Sequence, residues 1–259
     1  MAKSVSDRLI KDVYVFPKLS ILHIKIKTRN FSKFLRSALI KLLPNPKYKK
    51  NCNKVSIVDE FEAGKDHLEK ETFGYCDQVW NDDFYQDLIE QWPPTRYFQP
   101  LQYITKSYDV GYLDDETLTL FPAYEAAYRY LKSEEFCARV TSLVGDHEER
   151  ECYQILLTKA YSGSSIVPHI DSSNMDGSFN FVIFLNASEG PNSGGLAFWR
   201  DNEFKDLVFE PTKLRNSGVY YLMNQDLYHG FPPMRSGSFR WTINATYKKK
   251  KHISSEILS

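Results

Sequence analysis

Cysteine is scarce in this chain of 259 residues: four in all, at Cys52, Cys76, Cys137 and Cys152, with no C-x-x-C pair. That count excludes a disulfide-dense miniprotein, and the thiols are expected to be reduced and mostly buried. Long apolar runs are missing too. No segment approaches the roughly 20 residues needed to span a bilayer, and residues 1–20 lack the unbroken apolar stretch of a secretion signal. The expected location is therefore the cytoplasm, and the sequons at Asn30, Asn186 and Asn244 read as chance matches. There is also no net charge, with 33 Lys and Arg against 33 Asp and Glu. A dedicated duplex-DNA binder needs a basic excess to neutralise phosphates, so no nucleic-acid partner is expected.

What is present is a globular composition, 42% apolar and 15% aromatic, at a length that suits one large domain or one domain with an extension. The charge is unevenly spread. Val13 to Val58 carries 11 basic residues and no acid, and a cluster of acids follows from Asp59 to Glu71. Within the basic stretch Phe31, Phe34, Leu35, Ala38, Leu39, Leu42 and Leu43 form a helical stripe that Pro44 ends. Two readings stand: the stripe docks on the protein's own core, or the basic helix lies peripherally on an anionic membrane surface. Residues 1–75 are accordingly assigned as a basic N-terminal extension and 76–259 as the main domain.

Asn81 to Trp92 predicts a helix capped by Asn81 or Asp82 and stopped by Pro93 and Pro94. A strand is expected within Arg96–Tyr112, and a helical region over Tyr124–Val144 with a break near Ser133. Beyond Tyr153 the texture changes to short apolar runs (QILLTKAY, FNFVIFLN, GLAFW, GVYYLM, RWTINATY) separated by Gly, Pro, Asn and Ser. Such spacing predicts a barrel or double-sheet jelly roll. The expected fold is mainly β with N-terminal α: helical support over about 80–145 and core strands over about 153–248.

Chemistry concentrates in the β half. Residues i and i+2 of a strand share a face, so His169 and Asp171 are expected to aim at one point. His229 follows 58 residues after Asp171. Two histidines and one carboxylate make the facial triad of non-haem Fe(II) oxygenases, which leaves coordination positions open. Arg240 and Thr242 share a strand face 11 residues beyond His229, where a guanidinium and a hydroxyl can grip one carboxylate.

With His169-x-Asp171, His229 and Arg240-x-Thr242 in place, the segment from about Tyr153 to Tyr247 resembles the Fe(II)/2-oxoglutarate-dependent dioxygenases, in particular their prolyl-hydroxylase-like branch. Tyr161-Ser162-Gly163, the FVIFLN run with Gly194-Gly195, and His229-Gly230 fit that branch as well. The resemblance implies a double-stranded β-helix (jelly roll) core flanked by helices. It implies Fe(II) held by His169, Asp171 and His229, 2-oxoglutarate as cosubstrate, dioxygen, and ascorbate as a reductant. Arg240, Thr242 and Tyr161 are then expected at the cosubstrate. Phe184 stands where some relatives place a carboxylate-binding tyrosine, and either Asn180 on the same strand face or Thr242 is expected to compensate. The implied activity is hydroxylation of a C–H bond in a small or medium polar substrate: an amino acid, a sugar or a natural-product intermediate. A peptidyl-prolyl hydroxylase acting on protein and a non-catalytic metal- or ligand-binding jelly-roll module remain as alternatives.

Overall fold

The computed structural model describes residues 48, 53–57, 61, 65–102, 106–111, 113–171, 175, 177–223 and 227–250. The basic stripe from Phe31 to Leu43 lies outside the described residues.

Helices come first because their capping signals come first. After α1 (Lys65–Glu71) and β1 (Phe73–Cys76), α2 spans Asp82–Glu90. The Asn81 side chain accepts from the Phe84 amide at 2.9 Å, and Asp82 and Asp83 sit in the first turn, where the helix dipole favours negative charge. Its buried residues, Phe84 and Leu88, fall one helical turn apart. A short 3-10 turn (Thr95–Tyr97) leads into the hairpin β2 (Phe98–Gln102) and β3 (Lys106–Gly111). Then come α3 (Asp115–Leu118), α4 (Pro122–Leu131) and α5 (Glu134–Val144). The expected break is where Ser133 caps α5, accepting from the Phe136 amide, and Gly145 closes that helix at φ 76°.

The rest is β: β4 (Arg150–Tyr161), β5 (Ser165–His169), β6 (Phe179–Ala187), β7 (Ala197–Trp199), β8 (Leu207–Phe209), β9 (Ser217–Leu222), β10 (Tyr228–Phe231) and β11 (Phe239–Lys249). The strand order β1-β9-β6-β11-β4-β3-β5-β10-β7-β8, with β2 beside β3, folds on itself as a double-stranded β-helix. One layer is β9, β6, β11 and β4, and the other is β5, β10, β7 and β8; β3 pairs with both β4 and β5 and joins them.

Alternation gives each strand of the larger layer two jobs. Phe179, Phe181, Tyr220 and Tyr247 face the helices, where Phe61 and Phe136 pack against them. Burying a ring of this kind contributes about 1.5–3 kcal/mol. Val182, Phe184, Val219 and Tyr221 face inward, toward Phe198 and Phe231 of the smaller layer. Phe61, Leu68 and Phe73 are all buried, and β1 pairs with β9, so the residues just before Cys76 belong to the packed body. The sheet also takes in β1, β2 and β3 ahead of the run from residue 153, β2 and β3 falling within the Arg96–Tyr112 stretch where a strand is expected. Cys76 is buried, and Cys137 and Cys152 are free thiols. No helix among the described residues is long and apolar enough to cross a membrane.

Candidate active site

A single extra residue builds the site. β5 and β10 pair Ile166 with Phe231 and His169 with His229, so three steps along β5 match two along β10. Without this bulge His169 would point to the opposite face from Ile166; with it, both imidazoles turn inward. Gly230 makes room for it. A Cβ there would stand 2.4 Å from the Ile166 carbonyl oxygen and 3.0 Å from the Pro168 nitrogen. The ring centroids of His169 and His229 are 4.4 Å apart. Asp171 lies two residues past the end of β5, so the turn of the exiting chain, rather than strand alternation, brings its carboxylate back. Its oxygens stand 3.9 Å from His169 Nε2 and 3.6 Å from His229 Nε2.

The three side chains bring one ligand atom each to within 4.8 Å of one another, and among the described residues this is the one His/Cys/Asp/Glu cluster that could hold a metal. His169 Nδ1 lies 3.0 Å from the Val167 carbonyl, which turns Nε2 toward the cluster. His169 Nε2 and Asp171 Oδ2 are buried with no hydrogen-bond partner. Buried polar atoms are rarely left unmatched, so a cation among them fits the donor set. Burial, with the nearby Lys106 charge, lowers the His169 pKa to about 4. His229 is pushed well below the ordinary histidine range, chiefly by burial. Both rings are therefore neutral at pH 7, the state a metal requires. Burial raises the Asp171 pKa, and Lys106 counteracts this.

Arg240 is 3% exposed at the start of β11, its guanidinium carbon 4.4 Å from the Phe231 ring centroid. It donates through Nη1 to the Gly194 carbonyl, while Nε is buried without a partner. Desolvation lowers its pKa to about 10, so it stays cationic at neutral pH. Phe231 and His229 lie two residues apart on one strand and share its inner face, so the guanidinium beside the Phe231 ring is on the same side of β10 as the imidazole.

The other expected contacts divide. Thr242 is fully buried on the Arg240 face of β11, but its hydroxyl is hydrogen-bonded to Thr158. Asn180 is buried on the inner face too. Its oxygen accepts from Thr246 at 3.0 Å, and its amide donates to the Tyr221 hydroxyl at 2.9 Å, so it supports a tyrosine rather than meeting the open space. Tyr161 is misplaced for a cosubstrate contact. It is 41% exposed, and its hydroxyl donates to Asp109 on the outer face, because the inward position is taken by Ala160, the partner of Arg240.

Three residues went unread in the sequence. Tyr221 packs its ring 4.8 Å from His229. Burial raises its pKa well above 10, and the Asp171 charge adds to that. Lys106 and Tyr108 alternate onto the inner side of β3, where the Lys106 charge acts on Asp171 and both histidines and Tyr108 acts on Arg240. A polar row inside the barrel is the signal that could have flagged this lining: Arg240, Thr242, Asn244 and Thr246 at period two face inward, opposite Ile243, Ala245 and Tyr247. A separate cleft of about 630 Å3, between the β6–β7 and β8–β9 loops, contains none of the triad.

Residues 154–248 match the family model of the 2OG-Fe(II) oxygenase superfamily. Comparison with curated proteins gives no match. Among solved structures, a Pseudomonas putida prolyl-4-hydroxylase superposes with a TM-score of 0.55 at 15% identity, over 73% of this chain and 99% of that one. A Trichoplax adhaerens prolyl hydroxylase, solved with a hypoxia inducible factor peptide fragment, gives 0.56 at 14%, over 73% and 90%. HygX from Streptomyces hygroscopicus, solved with nickel and 2-oxoglutarate, gives 0.55 at 9%, over 75% and 88%. At these identities the likeness shows the double-stranded β-helix fold.

Proposed function

We propose that residues 154–248, which match the 2OG-Fe(II) oxygenase model, form an oxygenase domain in which His169, Asp171 and His229 hold ferrous iron, and that the protein hydroxylates a C–H bond of a small or medium polar substrate. The supporting observation is the pairing of two unmatched polar clusters: the His169 and Asp171 atoms at one end, and Arg240 Nε at the other. Bound iron and 2-oxoglutarate supply the oxidising chemistry, with dioxygen as oxidant. The chain supplies position. His169 is held in one tautomer by the Val167 carbonyl when its Nδ1 carries the proton. Arg240 grips the distant carboxylate of the diacid over the Phe231 ring, in a desolvated setting where a charge-assisted hydrogen bond counts for more than in water. Tyr108, on the inner side of β3 and close enough to influence Arg240, would supply the hydroxyl that Phe184 cannot. Tyr221, accepting from Asn180, keeps its own proton free to donate toward the Asp171 side of the site. Phe198 and Leu196 from the smaller layer shield this space from water.

The test is anaerobic addition of Fe(II) and 2-oxoglutarate, expected to give a weak visible charge-transfer band. An unchanged band in His169→Ala would end the assignment of the ligands, and an unchanged 2-oxoglutarate affinity in Arg240→Met would end that of the anchor.

A further inference from the structure

β3 brings a second cation to the site that the diacid does not need. Lys106 pairs in register with Ile166, and cross-strand partners share a face. Ile166 is buried in the inner core cluster, so the Lys106 stem enters the barrel beside it, three residues before His169. The side chain is partly buried. Among the described residues no hydrogen bond or ion pair involves it, although its charge acts on Asp171, His169 and His229.

That is a costly place for an ammonium group. A lysine rarely gives up its hydration without an anion to meet, because an uncompensated charge in a poorly solvated site is strongly unfavourable. Asp171 lies near enough to interact, but it makes no ion pair with Lys106 within 4.0 Å and is the candidate metal ligand. Lys106 also repels cations from the triad, so the sequence would gain nothing by placing it there for the metal alone. Of the diacid's two ends, one is matched by Arg240 and the other by the metal cluster. Lys106 is left over, on the β3–β5 side of the triad, two residues from the Tyr108 that neighbours Arg240.

Building on the oxygenase reading above, we propose that Lys106 is a specificity residue that binds an anionic group, a carboxylate or a phosphate, on the primary substrate. The substrate is then an acid, such as a sugar acid, a sugar phosphate or an amino acid with a free carboxylate, and its anion docks against β3 while the carbon to be hydroxylated lies over the triad. Such docking uses a compact point charge on a flexible stem, which suits either anion without demanding the bidentate geometry of arginine.

The experiment uses the full chain, anaerobically loaded with Fe(II) and 2-oxoglutarate, and measures binding of matched probes by saturation-transfer NMR. The pairs are glucose against glucose 6-phosphate and glucuronate, and proline amide against proline. Wild type is expected to bind the charged member of at least one pair tenfold or more tighter than its neutral twin. Lys106→Met, which keeps the packed stem, is expected to erase that preference, and Lys106→Arg to retain most of it. The charge-transfer titration of 2-oxoglutarate runs in parallel and is expected to shift less than twofold in Lys106→Met. Equal binding of charged and neutral members by wild type overturns the proposal. So does a tenfold loss of 2-oxoglutarate affinity in Lys106→Met with the probe preference intact, which would give Lys106 to the cosubstrate. A missing band with the anion preference present, and erased by Lys106→Met, would strike the oxygenase reading and uphold the anion site.

Discussion

His169 and His229 stand opposite one another across the β5–β10 ladder although plain alternation from the Ile166–Phe231 pair would set them on opposite faces. The extra residue between Ile166 and His169 reverses that alternation. Inserting one alanine between Pro168 and His169 adds a step beyond the bulge and turns His169 outward. The insertion is expected to lower Fe(II) affinity by at least tenfold, the scale of losing one ligand's orientation. Val167→Ala leaves the count unchanged and should bind iron as wild type does. Iron stoichiometry of the two purified variants, matched for helix and strand content by circular dichroism, checks it.

Gly230 carries the other half of that bulge. An alanine Cβ would meet main-chain atoms of Ile166 and Pro168, and backbone cannot rotate away as a side chain can. Gly230→Ala is expected to destabilise the fold by about 1–3 kcal/mol, the range for overpacking a tight site. It should also weaken iron binding, because His229 is the adjacent residue. Urea midpoints with and without metal separate the two effects: the loss in the metal-loaded protein should be the larger.

That His169, Asp171 and His229 come together was legible because such a ligand set depends on residue type and spacing, and both survive in a linear sequence. The jelly roll was legible because short apolar runs broken by Gly and Asn admit little else. Lys106 and Tyr108 were not. They sit in KSYDVG, a half-buried strand some 60 residues ahead of the triad, and only the double pairing of β3 with β4 and β5 carries them inside. Tyr161 failed for the complementary reason. A tyrosine near the end of a strand can face either way, and its face was fixed by Ala160 opposite Arg240, a cross-strand register that no local pattern reveals.

Arg240→Met removes the guanidinium but keeps a long apolar stem over Phe231. The diacid then loses its charge partner in a desolvated pocket, a loss of about 1.5–3 kcal/mol for a hydrogen bond to a charged group, or about 10- to 100-fold in affinity. Titration of the charge-transfer band with 2-oxoglutarate reads this directly. Arg240→Lys should fall between, since one ammonium cannot both donate to the Gly194 carbonyl and offer a planar fork to the ligand.

The histidines also set the acid response of the metal-free protein. An unfolded histidine titrates near pH 6.5, whereas burial, aided by Lys106, holds folded His169 down to about 4 and keeps His229 well below its usual range. Between those values the unfolded chain binds more protons than the native one, so stability rises with pH through the window and is lost as pH falls from about 6.5 toward 4. Asp171, with its pKa raised by burial, acts with the opposite sign, but it is one group against two. The urea midpoint of metal-free protein should therefore drop between pH 7 and pH 4.5. His229→Phe should flatten that slope by removing one of the two groups, whereas excess Zn(II), a redox-silent occupant of the same ligands, should raise the midpoint at pH 7 by mass action. A midpoint equally pH-dependent in His229→Phe and wild type would show that the slope arises elsewhere.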